Sequence, residues 1–317
     1  MKLLITRNMP DAVLNEAEAA FDMVLNPSNT ALSQAEARAA LSAYDIILPT
    51  LGDAFGTDTF DGLTDCRCGL LANFGVGYNH IDATAARAAG VEVSNTPGAV
   101  TDATADIALT LMLMTARRAA EGERLVRSGH WTGWEPTQML GLHMTGKTLG
   151  IIGMGRIGKA IAKRAHFGFD MNVIFYNRSK VTDPGVEARQ LDSLADVMAQ
   201  ADIVVIAVPG SPATHHLIGA RELAAMKPTA HLVNIARGDV IDETALVAAL
   251  QAKQIAGAGL DVYEQEPHVP EALCALSNVT LLPHLGTAAL EVREAMGRMA
   301  LANAIAFKEG RALPNAV

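Results

Sequence analysis

Cysteine is scarce: Cys66, Cys68 and Cys274 are the only three among 317 residues. So few cannot form a disulfide framework, and with no second pair downstream Cys66 and Cys68 make no zinc pattern, so no metal is expected. The thiols are expected to be reduced and mostly buried, in a cytoplasmic protein. Runs of basic residues are also missing. Lys and Arg total 25 against 34 Asp and Glu, giving a formal net charge of −9 and a pI near 5.5, so the field of the whole molecule repels nucleic-acid backbones and anionic membrane surfaces. Neither partner is expected. The longest apolar run, Ile107 to Met114 with Thr110 inside it, falls far short of the roughly 20 residues that span a bilayer. At the N-terminus Leu3-Leu4-Ile5 gives way to Arg7 too early for the apolar core of a secretory signal.

What is present is a chain that is 50% apolar and 19% charged, far from the composition of a disordered polypeptide. At 33.3 kDa it can close more than one core, and two domains are expected. Short aliphatic runs alternate with helical patterns throughout, which predicts an α/β protein with parallel sheets wrapped in helices. The first strand candidates are 2–7, 23–25, 45–49, 69–73 and 91–94. Among the helices between them, one begins at Ser33, where Ser33 and Glu36 have the spacing of a capping box. Asn95-Thr96-Pro97-Gly98 breaks the series, and a long helix is predicted over 101–127. A second series follows with strands at 149–152, 172–176, 203–208, 231–236, 257–262 and 279–282, enough for a complete dinucleotide-type sheet. The last helix, about 287–309, must return to the first domain. The expected organisation is therefore two doubly wound parallel-sheet domains, one discontinuous (1–98 and 286–317) and one inserted in it (99–285).

Gly153-Met154-Gly155-Arg156-Ile157-Gly158 satisfies G-x-G-x-x-G directly after an apolar strand and directly before a helix. Glycines there permit a tight turn and close approach of a pyrophosphate, while the helix N-terminus supplies unpaired N–H groups and positive potential. The ribose-reading position, about 20 residues on, is Asn177 rather than an acid. An acid would repel a 2′-phosphate, whereas Asn177-Arg178-Ser179-Lys180 offers an amide, a guanidinium, a hydroxyl and an ammonium. That segment predicts NADP(H) as the preferred cofactor, with NAD(H) second.

Three polar residues follow consecutive strand candidates: Arg237, Glu266 and His284. In a parallel sheet such positions share one rim. An imidazole beside a carboxylate makes a proton donor, and a guanidinium can grip a substrate carboxylate through two hydrogen bonds. On spacing alone Glu264 competes with Glu266 as the carboxylate. The other histidines show no ligand-like spacing.

With these motifs in hand, the sequence resembles the D-isomer-specific 2-hydroxyacid dehydrogenases, and within them the glyoxylate/hydroxypyruvate reductases. The resemblance spans nearly the whole chain. It rests on the glycine motif and on the runs 73–82 (NFGVGYNHID), 102–106 (DATAD), 234–239 (NIARGD), 258–267 (AGLDVYEQEP) and 283–286 (PHLG). It implies a Rossmann-type cofactor domain inserted in a flavodoxin-like substrate domain. Arg237 would bind the substrate carboxylate, His284 would exchange the proton with the carbinol oxygen, and Glu266, rather than Glu264, would hold His284. The Val76 and Gly77 amides would also take the carboxylate, with Leu51 and Gly52 lining the pocket. Thr104 and the glycine loop would contact the pyrophosphate, Asp261 the nicotinamide carboxamide, and Pro209 and Ile235 the ring itself. Trp134, in the run 129–136 (GHWTGWEP), would reach the pocket of a twofold mate. Leu109, Leu111, Met112 and Leu113 show no all-round partner within one chain, which also predicts a homodimer. The expected reaction is reduction of a small 2-oxo acid to the D-2-hydroxy acid. Phosphoglycerate dehydrogenase is the nearest alternative, disfavoured because no regulatory domain follows the last helix. A dinucleotide-sensing, corepressor-like binding protein is the alternative from another class.

Overall fold

Short, largely apolar strands build the first sheet of the computed structural model, which describes residues 1–317. They are β1 (Lys2–Ile5), β2 (Asp22–Leu25), β3 (Ile46–Leu48), β4 (Leu70–Ala72) and β5 (Glu92–Ser94), all parallel, in the order β2-β1-β3-β4-β5. Leu3, Ile5, Ile46, Ile47, Leu48, Leu70 and Leu71 are wholly buried, because helices cover both faces. Those helices are α1 (Asp11–Ala20), α2 (Gln34–Ala43), α3 (Thr57–Phe60) and α4 (Ala83–Ala88), joined by the C-terminal helix Leu290–Lys308. Ser33 and Glu36 form the reciprocal cap of α2, with Glu36 Oε2 accepting from Ser33 N at 2.8 Å. The C-terminal helix is tied to α1 through Arg298 and Glu16 at 2.8 Å, and Lys308 Nζ donates to the Ala20 carbonyl at 2.6 Å. The unit comprises 1–100 and 287–317.

Residues 101–286 form the second unit. It opens with α5 (Thr101–Ala116) and α6 (Ala119–Arg127), where a single helix was expected over 101–127. The break is at Arg118, whose backbone enters the left-handed region (φ +53°) while its guanidinium pairs with Glu121 at 2.7 Å. The sheet runs β6 (Thr148–Ile152), β7 (Asn172–Tyr176), β8 (Ala188–Gln190), β9 (Ile203–Ile206), β10 (His231–Asn234), β11 (Gly257–Leu260) and β12 (Val279–Leu281). Between them lie α7 (Arg156–Phe169), α8 (Leu194–Gln200), α9 (Ala220–Ala225), α10 (Glu243–Gln251) and α11 (Glu271–Cys274). All strands are parallel, in the order β12-β11-β10-β9-β6-β7-β8. The winding reverses between β6 and β9, the switch point at which open α/β sheets bind ligands. The edge strand β8 is an addition to the six expected; its Arg189 and Gln190 are polar, so no apolar run marks it.

The apolar face of α5 finds its partners inside one chain, a correction to the sequence reading. Leu111 and Met112 are fully buried and Leu109 nearly so. Two glycines of β11 make this fit: a Cβ on Gly259 would come within 3.0 Å of Leu111 Cβ, and one on Gly257 within 3.1 Å of Thr115 Oγ1. Each such buried leucine contributes roughly 1.5–3 kcal/mol to the unit's own core. Only Leu113 of the four stays exposed, at 38%. No helix is long and apolar enough to cross a membrane.

Candidate active site

The glycine loop joins β6 to α7 as the motif requires. Gly153 has φ +100°, and a Cβ there would lie 2.7 Å from the Ala207 carbonyl. A Cβ on Gly158 would lie 2.2 Å from the Gly153 carbonyl, so helix and strand can meet only with glycine at that place. Gly155, the N-cap of α7, is different: a Cβ there would meet nothing within 4 Å, and no side chain caps the helix. The first-turn N–H groups, including those of Arg156 and Ile157, thus face open space with the positive end of the helix dipole behind them. That cradle fits the pyrophosphate of a dinucleotide.

The segment after β7 is built by Asn177 and Gln190. Asn177 Oδ1 accepts from Met154 N in the glycine loop at 3.2 Å, and its Nδ2 donates to Ser179 O and Oγ at 3.0 and 3.2 Å. Gln190 on β8 donates to the carbonyls of Asn177 and Ser179 and accepts from Val181 N. Arg178 and Lys180 are exposed and make no hydrogen bond or ion pair.

The catalytic candidates follow the strand ends β10, β11 and β12. His284 Nδ1 lies 2.7 Å from Glu266 Oε2, and Glu266 Oε1 accepts from Tyr263 N at 3.1 Å. Glu264 points elsewhere, to His216 Nε2 at 2.9 Å, so the carboxylate on His284 is Glu266. Burial alone would push the Glu266 carboxyl up, but the His284 hydrogen bond and charge, the Tyr263 amide and the Arg237 charge together hold it below the usual carboxylate range. It is therefore an anion in the neutral range. His284 adopts φ +55°, a conformation few side chains other than glycine take. Asp261 holds it there, with its carbonyl accepting from His284 N at 2.9 Å and its carboxylate from Leu285 N and Gly286 N at 2.7 and 2.8 Å. Arg237 is half-buried, and burial pulls its pKa down against the opposing charges of Glu266 and Asp239. A Cβ on Gly210 would lie 2.8 Å from Arg237 Cγ, so Gly210 leaves room for that arginine.

Several positioning residues went unnoticed in the sequence. Asn234, buried at the end of β10, accepts from Ala236 N and donates to the Arg237 carbonyl. Tyr263 donates to the Leu282 carbonyl at 2.9 Å, and Glu243 accepts from Glu264 N at 2.9 Å. Only burial and turn geometry reveal such roles. Other expected contacts prove already engaged. Asp261 is 1% exposed with both oxygens in use, and the Thr104 hydroxyl is donated to the Gly286 carbonyl at 3.2 Å. Ile235 is buried, while Pro209 is exposed with its carbonyl accepting from Thr214.

In the first unit, the loop after β4 has its carbonyls tied back. Asn73 Nδ2 donates to Gly75 O and Gly77 O, Asn95 Nδ2 to Val76 O, and Thr96 N to Gly75 O. The Val76 and Gly77 N–H groups donate to nothing in the chain, which makes a nest for an anion. Leu51 and Gly52 are exposed after β3, and Trp134 is 80% exposed. Apart from these, a ring nitrogen each of exposed His215 and His216 and a carboxylate oxygen of Glu264 lie within 4.8 Å of one another.

Residues 109–286 match the family model described as "D-isomer specific 2-hydroxyacid dehydrogenase, NAD binding domain". The chain is 41% identical over 321 positions to the glyoxylate reductase of Thermococcus gammatolerans, covering 100% of this chain and 95% of that protein. It is 35% identical to the glycerate dehydrogenase of Hyphomicrobium methylovorum, covering 94% and 93%. Among solved structures it resembles an NADPH-dependent glyoxylate/hydroxypyruvate reductase from Sinorhizobium meliloti in complex with NADP and malonate. That match has a TM-score of 0.88 at 33% identity, over 100% of this chain and 96% of the other.

Proposed function

Because the chain belongs to the D-isomer-specific 2-hydroxyacid dehydrogenases, we propose that it reduces glyoxylate or hydroxypyruvate to the 2-hydroxy acid, of D configuration where chiral, with NADPH as donor. The observation that carries this reading is the Glu266–His284 pair at 2.7 Å with Arg237 beside it. Glu266 engages Nδ1, which leaves Nε2 of His284 to hold the proton for the carbonyl oxygen. Arg237 and the free Val76 and Gly77 amides hold the substrate carboxylate, Arg237 also polarising the adjacent carbonyl. Leu51 and Gly52 line the rest of the substrate.

A reduced nicotinamide, when bound, supplies the hydride to the carbonyl carbon. The α7 N-terminus with Gly153, Gly155, Arg156, Ile157 and Gly158 holds the pyrophosphate, with Thr104 nearby. Asp261, Pro209 and Ile235 border the nicotinamide. Two features support NADP(H) over NAD(H): no acid stands at Asn177, and the Arg178 guanidinium has no partner of its own. Ser179 keeps its hydroxyl proton while accepting from Asn177.

The same reading includes a cytoplasmic homodimer. Exposed Leu113, Val126, Trp131, Trp134 and Leu140 supply apolar surface for a mate, with Trp134 reaching its substrate pocket. Light scattering at micromolar concentration should return twice 33.3 kDa. The function itself is tested by following NADPH oxidation by the purified protein with a panel of 2-oxo acids. Turnover with glyoxylate or hydroxypyruvate is expected; cofactor binding without turnover on any 2-oxo acid would favour a sensing protein.

A further inference from the structure

Arg7 follows β1 in the sheet ordered β2-β1-β3-β4-β5, whose winding reverses between β1 and β3. The carboxyl ends of those two strands flank the switch point, where ligands enter an open α/β sheet. The half-buried Arg7 side chain makes no hydrogen bond and no ion pair, and its Nε is buried without a partner. Buried guanidinium N–H groups are nearly always satisfied, so this one is aimed at something the chain does not supply.

The loop after β3 is anchored by a buried carboxylate that takes only neutral donors. Asp53, 0% exposed, accepts from Thr6 Oγ1 at 2.6 Å, Thr50 N at 2.7 Å and Leu32 N at 2.7 Å. Those bonds fix the loop after β3 against the end of β1, and none of them involves Arg7. The guanidinium lies against Gly52: a Cβ there, whose φ is +96°, would sit 3.3 Å from Arg7 Nη2. The loop is shaped to leave that fork uncovered.

We propose that Arg7 is a specificity-determining residue that donates hydrogen bonds to an oxygen on C3 of the 2-oxo acid. The inference rests on the reductase reading above, in which the Val76 and Gly77 amides after β4, in the same sheet unit as Arg7, take the carboxylate. The end of the substrate that meets the loop after β3 is then the side-chain end. An unpaired cation there favours a hydroxymethyl or more acidic substituent over a bare methyl or hydrogen.

The test is kcat/KM for hydroxypyruvate, pyruvate and glyoxylate in the wild type and Arg7→Met, with the melting temperature of each. The hydroxypyruvate-to-glyoxylate ratio should fall about tenfold in Arg7→Met, mostly through KM for hydroxypyruvate, as expected for loss of one charge-assisted bond. Arg7→Lys should recover part of the ratio. If Arg7→Met does not fold, Arg7→Gln is read by the same ratio. An unchanged ratio, or an equal loss on all three acids, overturns the proposal. A wild type that reduces none of them defeats the reductase reading itself.

Discussion

Glu266 Oε2 sits 2.7 Å from His284 Nδ1, and the histidine is held in this position by a left-handed backbone that Asp261 clamps through three hydrogen bonds. The carboxylate is ionised in the neutral range, so its bond to Nδ1 orients the ring and leaves Nε2 facing away from it.

The pH profile should report that pair. Glu266 must be an anion to hold His284, and its pKa is lowered, so kcat/KM should hold through the usual carboxylate range and fall only below it. Glu266→Gln has no carboxyl to protonate there, and that acid-side fall should be lost. The measurement is kcat/KM for glyoxylate against pH in both proteins; superimposable profiles would contradict the pairing.

Arg237 should govern substrate binding more than chemistry. Arg237→Ala is expected to raise KM for glyoxylate at least tenfold, through loss of a charge-assisted contact worth roughly 1.5–3 kcal/mol. Gly210→Ala should give a milder rise in KM, because its Cβ would press on Arg237 Cγ from 2.8 Å. Kinetics beside melting temperatures decide it: a Gly210→Ala protein with native KM would show that the arginine has room to spare.

Cofactor choice should follow local charge after β7. Arg178→Ala is expected to weaken NADPH by about tenfold to a hundredfold and leave NADH nearly unchanged, since only the 2′-phosphate pairs with the guanidinium. Asn177→Asp keeps an acceptor for Met154 N but adds a negative charge, and should move preference toward NADH. Comparing kcat/KM for the two cofactors in the three proteins tests this; equal loss for both cofactors in Arg178→Ala would sink it.

Stability at acid pH should depend on His231. This imidazole, 6% exposed and 3.0 Å from Thr115 Oγ1, is pushed down to about 4 by burial. The native state therefore refuses a proton that the unfolded chain accepts near pH 6.5. Its contribution is fully present above that value and is lost as pH falls toward about 4, costing about 3 kcal/mol over the interval. His231→Gln should lose correspondingly less across the same range in urea denaturation. Parallel losses in both proteins would show that the histidine is not the cause.

Much of this was legible in the sequence because apolar strands and glycine turns leave strong local signals. Eleven of the twelve strands fall on expected runs, and G-x-G-x-x-G lies at the turn from β6 into α7. β8 escaped because an edge strand with Arg189 and Gln190 has no apolar face to show. The break at Arg118 escaped because a left-handed residue inside a helical composition leaves no mark. The burial of Leu111 depends on glycines about 150 residues away in β11, a relation only the fold creates. Arg7 stands at the end of an apolar run in the sequence, and only the structure shows its Nε buried without a partner.

The most direct test of the account is His284→Ala, read by two numbers: kcat for NADPH-dependent glyoxylate reduction and the Kd of NADPH from nicotinamide fluorescence. Loss of the proton donor should lower kcat by about 10²–10⁴ while the Kd stays within about twofold, because the imidazole serves the substrate and not the dinucleotide. A variant that keeps more than about a third of wild-type turnover would contradict the assignment of His284 as the acid.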